Sequence, residues 1–406
     1  MPSKIKKRGA NSYLLTVSAG YNPNGSQKTY TRTVQCDNHT EAKEQYKLFS
    51  SEILQGKVLA PGTEKMTLDQ LYEYWTKHYA EKNQALSTRV CNDNLFVRIK
   101  ASLGHLLIEK IQPRHILSFI DQLSEPTAGK GDKPLSSRTI RKHCILLNSL
   151  LDTAVQWEMM IANPCNKVTP LKQDKSRKNI LSEEELATFL TALSTHNVVK
   201  HQLWIMLAFT LGLRREEIFG LKWLDINFDE NTISIVRAIV YVQGAGLIEK
   251  DTKSDSSYRT LSVPTDVMQL LVCWREEVEA TYKRRNKRNK VVVLDNPTGI
   301  DKWLFTQANG TVGHPHAFNT FISRFCKDNG LEKVGPHLLR HMSGSYLLKG
   351  GIDIASISKK LGHSDKSFTM KTYIHSLESS EKQSANVMQD ILNSLKIPQA
   401  KKGQVI

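Results

Sequence analysis

The segment His337-Leu338-Leu339-Arg340-His341 is followed by Leu361-Gly362-His363-Ser364 and, ten residues beyond His363, by Tyr373-Ile374-His375. These three pieces decide how the carboxyl-terminal half of the chain is read. Working outward, two further patterns stand upstream. Gly212-Leu213-Arg214-Arg215-Glu216-Glu217-Ile218 precedes Leu221, Trp223, Asp225 and Ile226, and Thr252-Lys253-Ser254 forms a polar turn before the strand-like Tyr258-Arg259-Thr260-Leu261. Singly, each pattern has an ordinary structural explanation. An arginine at a helix start pairs with a neighbouring glutamate, a lysine in a turn is solvated, and a lone tyrosine packs. His337 and His341 stand four apart, as a zinc pair would, but Leu338 takes the place of the general-base glutamate of such a motif.

Taken in order and spacing, Arg214, Lys253, His337-x-x-Arg340, His363 and Tyr373 resemble the signature of the tyrosine recombinase (integrase) family: arginine, lysine, His-x-x-Arg, histidine or tryptophan, then tyrosine. The resemblance runs from roughly 175 to 395. It implies that Arg214 and Arg340 are the arginine pair, Lys253 the turn lysine, His337 and His363 the two histidines and Tyr373 the nucleophile. Glu217 keeps the acid that the family places after its first arginine. Glu216 stands where the family has a small residue, and Met342-Ser343-Gly344 replaces its Thr-x-Ala run. No metal and no cofactor is implied.

The chemistry of such a set asks for these residue types. A tyrosine hydroxyl, with a pKa of about 10, can take a phosphate from DNA, hold it and give it back. Charge developing on the non-bridging oxygens calls for fixed cations, and an arginine fork holds phosphate oxygens while staying charged throughout. The leaving 5′ oxygen needs a proton, which the family takes from the turn lysine, here Lys253. His337 and His363 would donate to the phosphate, with His337 helping to accept the tyrosine proton. Tyr258, Tyr282 and Tyr346 are the other tyrosines of this region weighed for the role; none follows a Gly-His step at the expected distance. A Gly-rich phosphate loop and a clustered carboxylate site are both missing from the sequence, which argues against an ATP-driven or Mg-dependent nuclease.

Composition agrees with a nucleic-acid partner. Fifty-six Lys and Arg against 40 Asp and Glu give 406 residues a formal charge of +16. An excess of that size favours a polyanion, because each cation set on a phosphate releases a counterion. No apolar run reaches the length of a membrane span; Leu203 to Leu213 comes nearest and is broken by Thr210 and Gly212. No signal peptide follows the basic start. The expected location is the cytoplasm of a bacterial host, at the nucleoid. Cys36, Cys91, Cys144, Cys165, Cys273 and Cys326 contain no CxxC pair and read as buried, reduced thiols.

The chain is expected to be multidomain and mainly α with small β-sheets. Residues 1–60 read as a β-sheet backed by one helix: Tyr13, Leu15 and Val17 alternate, Asn22-Pro23-Asn24-Gly25 turns, and Tyr30, Arg32 and Val34 alternate again. Thr40 is a candidate cap for a helix bearing Ala42, Tyr46, Phe49 and Ile53. Positions 1–35 carry Lys4, Lys6, Lys7, Arg8, Lys28 and Arg32 and no acid, so these six are candidate DNA contacts. Residues 64–170 read as a helical bundle. Thr67 and Gln70 box its first helix, further helices lie near Leu95–Ala101, Ile116–Leu123 and Arg138–Trp157, and Arg138, Arg141 and Lys142 form a basic face. Lys172 to Lys178 reads as a linker. Residues 178–396 form the mixed α/β block, opened by a capping box from Ser182 to Glu185; six of the eight residues from Lys283 to Lys290 are basic.

By resemblance, these blocks are an amino-terminal arm-DNA-binding domain, a core-binding domain and a catalytic domain with a docking helix bearing Val387, Met388, Ile391, Leu392 and Leu395. The implied function is site-specific integration, with excision, of a phage or integrative conjugative element, through a 3′-phosphotyrosyl intermediate and a Holliday junction. The implied partners are double-stranded attachment-site DNA, a homo-tetramer on DNA built from free monomers, an excisionase and a host DNA-bending protein, with no membrane. The rivals are a type IB topoisomerase, a catalytically silent DNA-binding regulator and an RNA-binding protein; no RRM or KH signature supports the last.

Overall fold

The alternation of Tyr13, Leu15 and Val17 produces the strand it implies. The computed structural model describes residues 4–21, 25–55, 65–126, 129, 133–169, 181–251, 258–289, 298–307 and 309–362. They fall into two units, Met1–Ser176 and Arg177–Ile406. The linker around Lys172, the break at Pro61-Gly62, Lys253, His363, Tyr373 and the stripe from Val387 to Leu395 lie outside the described residues.

The first unit opens with β1 (Ile5–Lys7), β2 (Ser12–Tyr21) and β3 (Gln27–Gln35), an antiparallel sheet in that order, covered on one face by α1 (His39–Leu54). Leu15, Val17 and Tyr30 bury against Phe49 and Ile53 of the helix. Asn38, not Thr40, caps α1: its backbone is extended and its side chain accepts the Glu41 N–H at 2.9 Å, so the helix starts earlier than a Thr40 cap would place it. Cross-strand register pairs Leu15 with Arg32 and Tyr13 with Val34. Because side chains alternate across a strand, Arg32 therefore shares the helix-covered face with Leu15.

Beyond this sheet lie α2 (Leu68–Trp75), a π-helical turn over Thr76–Ala80, and α3 (Glu81–Asn83), α4 (Leu86–Leu103), α5 (Pro113–Ser124) and α6 (Ser137–Gln156). The Thr67–Gln70 capping box is present. Trp75, Phe96, Ile99, Phe119, Leu147 and Leu150 belong to one apolar core. Helix α4 begins at Leu86, well before Leu95; its first turns carry no apolar stripe and so give no periodic signal, and Asp93 in that stretch accepts the Tyr72 hydroxyl at 2.6 Å.

The second unit starts with α7 (Glu183–Ser194), held by the Ser182–Glu185 box, then α8 (Val199–Thr210) and the short α9 (Arg215–Phe219). Strands β4 (Ile226–Asn227), β5 (Thr232–Ile235) and β8 (Arg259–Ser262) form one antiparallel sheet. Strands β6 (Arg237–Val242) and β7 (Gly246–Asp251) form a separate hairpin. The second strand of that hairpin has no alternation to reveal it; pairing with β6 creates it. Four helices follow: α10 (Thr265–Asn289), α11 (His316–Asp328), α12 (Pro336–Lys349) and α13 (Ile354–Leu361). Trp204, Leu207, Phe219, Phe305, Phe318 and Leu339 fill a common core, with α12 packed on α8. The mainly helical expectation with small sheets holds. No cysteine is bridged among the described residues, and Cys91 and Cys273 are exposed rather than buried.

Candidate active site

Glu217, at the third position of α9, is 3% exposed and would be costly to bury as a lone carboxylate. It is not alone. Arg214 donates to it twice, through its backbone N–H to Oε2 at 2.8 Å and through Nη1 to Oε1 at 2.7 Å. Arg259 donates through Nη2 to Oε2 at 2.9 Å and through Nη1 to Oε1 at 3.3 Å. Arg340 Nη1 stands 4.0 Å from Oε2. Burial alone would raise this carboxyl's pKa, but the Arg259 charge and hydrogen bonds, with Arg214 and Arg340, hold it below the ordinary carboxylate value.

The same guanidinium groups reach the carboxyl end of α13. Arg259 Nε donates to the Lys360 carbonyl at 2.6 Å, Arg340 Nη2 to the Leu361 carbonyl, and Arg214 Nη2 to the Gly362 carbonyl at 2.8 Å. Terminal helix carbonyls have no intrahelical partner and carry the negative end of the dipole, so cations suit them. Arg340 also donates through Nη1 to the Gly212 carbonyl at 2.5 Å. Two glycines make this close assembly fit. Gly212 has φ +65°, and a Cβ there would run into the Leu361 side chain; Gly362 closes α13 with φ +64°.

The structure thus brings Arg214 and Arg340 together from segments 126 positions apart (340 minus 214). Arg340 is 5% exposed, whereas the Arg214 side chain keeps 34% of its surface open. His337 is exposed at the start of α12, one turn before Arg340. Lys253 lies outside the described residues, in the connection between β7 and β8. The hairpin preceding it is tied down where Arg237 Nη1 donates to Asp225 Oδ2 at 2.6 Å. His363 and Tyr373 also lie outside; His363 follows Gly362 directly in the chain.

Arg259 joins this set although no motif of the sequence assigns it a role. A signal for it exists: in β8, Arg259 and Leu261 are buried and Thr260 and Ser262 exposed, so an arginine occupies an inward position of an alternating strand. Among the described residues no group of three or more His, Cys, Asp or Glu side chains could hold a metal ion.

The candidate DNA contacts divide. Arg138, Arg141 and Lys142 are exposed on α6. Lys4, Lys6, Lys7 and Arg8 are exposed on and beside β1, with Lys6 opposite Leu14 on the face away from α1. Arg32, by contrast, pairs with Glu52 of α1 at 2.7 Å and sits 4.3 Å from the Phe49 ring centroid. Lys28 bonds Glu158 at 3.1 Å, which raises its pKa. Both have acidic partners within their own unit, and the Arg32 side chain keeps 41% of its surface exposed.

Comparison with known proteins gives a consistent result. The model of the phage integrase family matches residues 179–380, and that of the phage integrase SAM-like domain matches 70–169. The ICEBs1 integrase of Bacillus subtilis is 26% identical over 285 residues, 70% of this chain and 72% of its own. The XerC-like tyrosine recombinase of Caldanaerobacter subterraneus is 24% identical over 404 residues, 95% of this chain and 97% of its own. Among solved structures, the Tn1549 transposon integrase in complex with transposon right end DNA superposes with a TM-score of 0.63 at 23% identity, covering 79% of this chain and 100% of that one. The lambda integrase tetramer bound to a Holliday junction gives 0.51 at 16%, covering 90% and 97%. The two superpositions establish a shared fold.

Proposed function

This chain belongs to the phage integrase family of tyrosine recombinases, enzymes of DNA cleavage and rejoining, and from that premise we propose a residue-level mechanism for site-specific recombination of a mobile genetic element. The observation that carries it is the convergence of Arg214 and Arg340 on the end of α13, one residue short of His363. Tyr373 Oη attacks the scissile phosphorus, forming a phosphotyrosyl bond as the bond to the 5′ oxygen breaks. The departing 5′ oxygen takes a proton from Lys253 Nζ. Arg214 and Arg340 neutralise charge on the non-bridging oxygens, His363 donates to the phosphate, and His337 accepts the tyrosine proton. Attack by the 5′ hydroxyl of a partner strand reverses each step, so bond energy is conserved and neither ATP nor a hydrolytic water is consumed.

Residues 1–60 serve as the arm-DNA-binding domain, 64–170 as the core-binding domain and 178–396 as the catalytic domain. What supports the first assignment is the face of the sheet away from α1. There Lys6 keeps company with Thr16, Thr31 and Thr33, and hydroxyls and ammonium groups suit phosphate and base edges. Exposed Arg138, Arg141 and Lys142 support the second. Four protomers assemble on DNA from free monomers through the segment around Val387 to Leu395, and integration and excision are steered by an excisionase and a host DNA-bending protein. The reaction runs in the bacterial cytoplasm, at the nucleoid. No described helix is long and apolar enough to cross a membrane.

The test is a covalent trap. Nicked duplexes tiled across the attachment region, incubated with enzyme in EDTA, release a short fragment after attack and leave protein attached. Wild-type enzyme gives an adduct on a denaturing gel. Tyr373→Phe binds the same duplex and gives none; an adduct in that variant overturns the nucleophile assignment.

A further inference from the structure

We propose that Arg259 is a positioning residue for strand cleavage, gripping the carboxyl end of α13 so that His363 is presented to the scissile phosphate. The inference rests on the reading above, in which His363 acts on that phosphate. Arg259 belongs to none of the motifs that identify the family resemblance, and its side chain is only 4% exposed. All three guanidinium nitrogens have internal partners: Nη1 and Nη2 lie on the two oxygens of Glu217, and Nε on the Lys360 carbonyl at 2.6 Å. Its fork is spent on the protein itself, so its effect is exerted through the groups it holds.

Those groups are informative. Lys360, Leu361 and Gly362 are consecutive, and each gives its carbonyl to a different arginine, from β8, α12 and the start of α9 respectively. In the mechanism proposed above, Arg214 and Arg340 also bind the phosphate, which Arg259 does not. Of the three, Arg259 is the one that couples α13 to the β4-β5-β8 sheet. Without its grip, the carbonyls that close α13 would depend on the two arginines that substrate must recruit. Gly362, left-handed and lacking a side chain, closes α13 immediately before His363 in the chain. Lysine could not substitute. A single ammonium nitrogen can keep charge beside Glu217, but it cannot span a carboxylate and a carbonyl as a planar fork does.

Full-length Arg259→Lys is therefore the informative variant. It should bind core-site DNA within about twofold of wild type, a change confined to catalysis. Single-turnover cleavage of a nicked duplex should fall by about 10²-fold, a loss that a misplacement near 1 Å can produce. The decisive readout is a cycle with His363→Ala: Arg259→Lys/His363→Ala should cleave no more slowly than His363→Ala alone. Losses that multiply, or Arg259→Lys cleaving at the wild-type rate, would overturn the proposal, since a general structural defect slows both backgrounds alike. Should Arg259→Lys lack a cooperative unfolding transition, Arg259→Gln, which leaves Glu217 to Arg214 and Arg340, is put through the same cycle. Failure of the underlying mechanism reads differently: wild-type enzyme would then show no Tyr373-dependent adduct at all.

Discussion

Glu217 depends for its charge on the arginines around it. Its pKa is depressed in the folded chain, so the stability it contributes is present above the ordinary carboxylate value of 4.5 and is lost as pH falls through the lower folded value. Urea unfolding of the wild type should therefore show a loss of stability on acidification below pH 4.5 that is shallower in Glu217→Gln; equal acid limbs would count against an ionised, paired Glu217. Gly212 makes a second prediction at this scale. Its φ of +65° and the Leu361 side chain facing it leave no room for a Cβ. Gly212→Ala should cost about 1–3 kcal/mol in urea unfolding and slow cleavage as well, because the Gly212 and Leu361 carbonyls both receive Arg340.

Among the elements, α13 and α6 each combine a packing role with charged groups at one end. Helix α13 has only eight residues, from Ile354 to Leu361, too few to hold its own ends in place. Asp353 caps its start by accepting the Ser356 N–H at 2.9 Å, and three guanidinium groups cap its finish. The helix is thereby a fixed support rather than a fraying end. Helix α6 separates two roles by face. Ile140, Leu147, Leu150 and Leu151 are buried, while Arg138, Arg141 and Lys142 are exposed near its start. If that face lies on phosphates, replacing all three cations by alanine should flatten the log–log salt dependence of core-site binding by about 0.9 for each phosphate left without its cation. A slope identical to wild type would assign the face to solvent.

At the scale of the whole molecule, the charge of +16 is carried by a chain of two units, the first running from Met1 to Ser176. The sheet of β1 to β3 has its own core of Leu15, Val17, Tyr30, Phe49 and Ile53. Deleting residues 1–60 should therefore spare adduct formation on an isolated core site while abolishing integration between full attachment sites. Full integration by the truncated protein would remove the arm-binding role. Loss of core-site cleavage would show instead that the sheet supports the rest of the chain.

Read locally, the chain already discloses a great deal. Capping boxes at Thr67 and Ser182, the alternation in β2 and the apolar stripe of α6 are short-range patterns, and each forms where it is written. Arg214, His337 and Arg340 are candidates from order and spacing, and folding brings Arg214 and Arg340 to the same helix end. Partners are not legible in this way. Arg32 and Thr31 look alike in one dimension, but cross-strand register sets Arg32 on the α1 side of the sheet, against Phe49 and Glu52. Arg259 looks like any basic strand residue until folding brings it to Glu217, 42 positions away, and to Lys360, 101 positions away. Local periodicity reports which face of an element is apolar. Which charges meet across that face is decided by topology, since burying a carboxylate among arginines is favourable only once every partner has arrived.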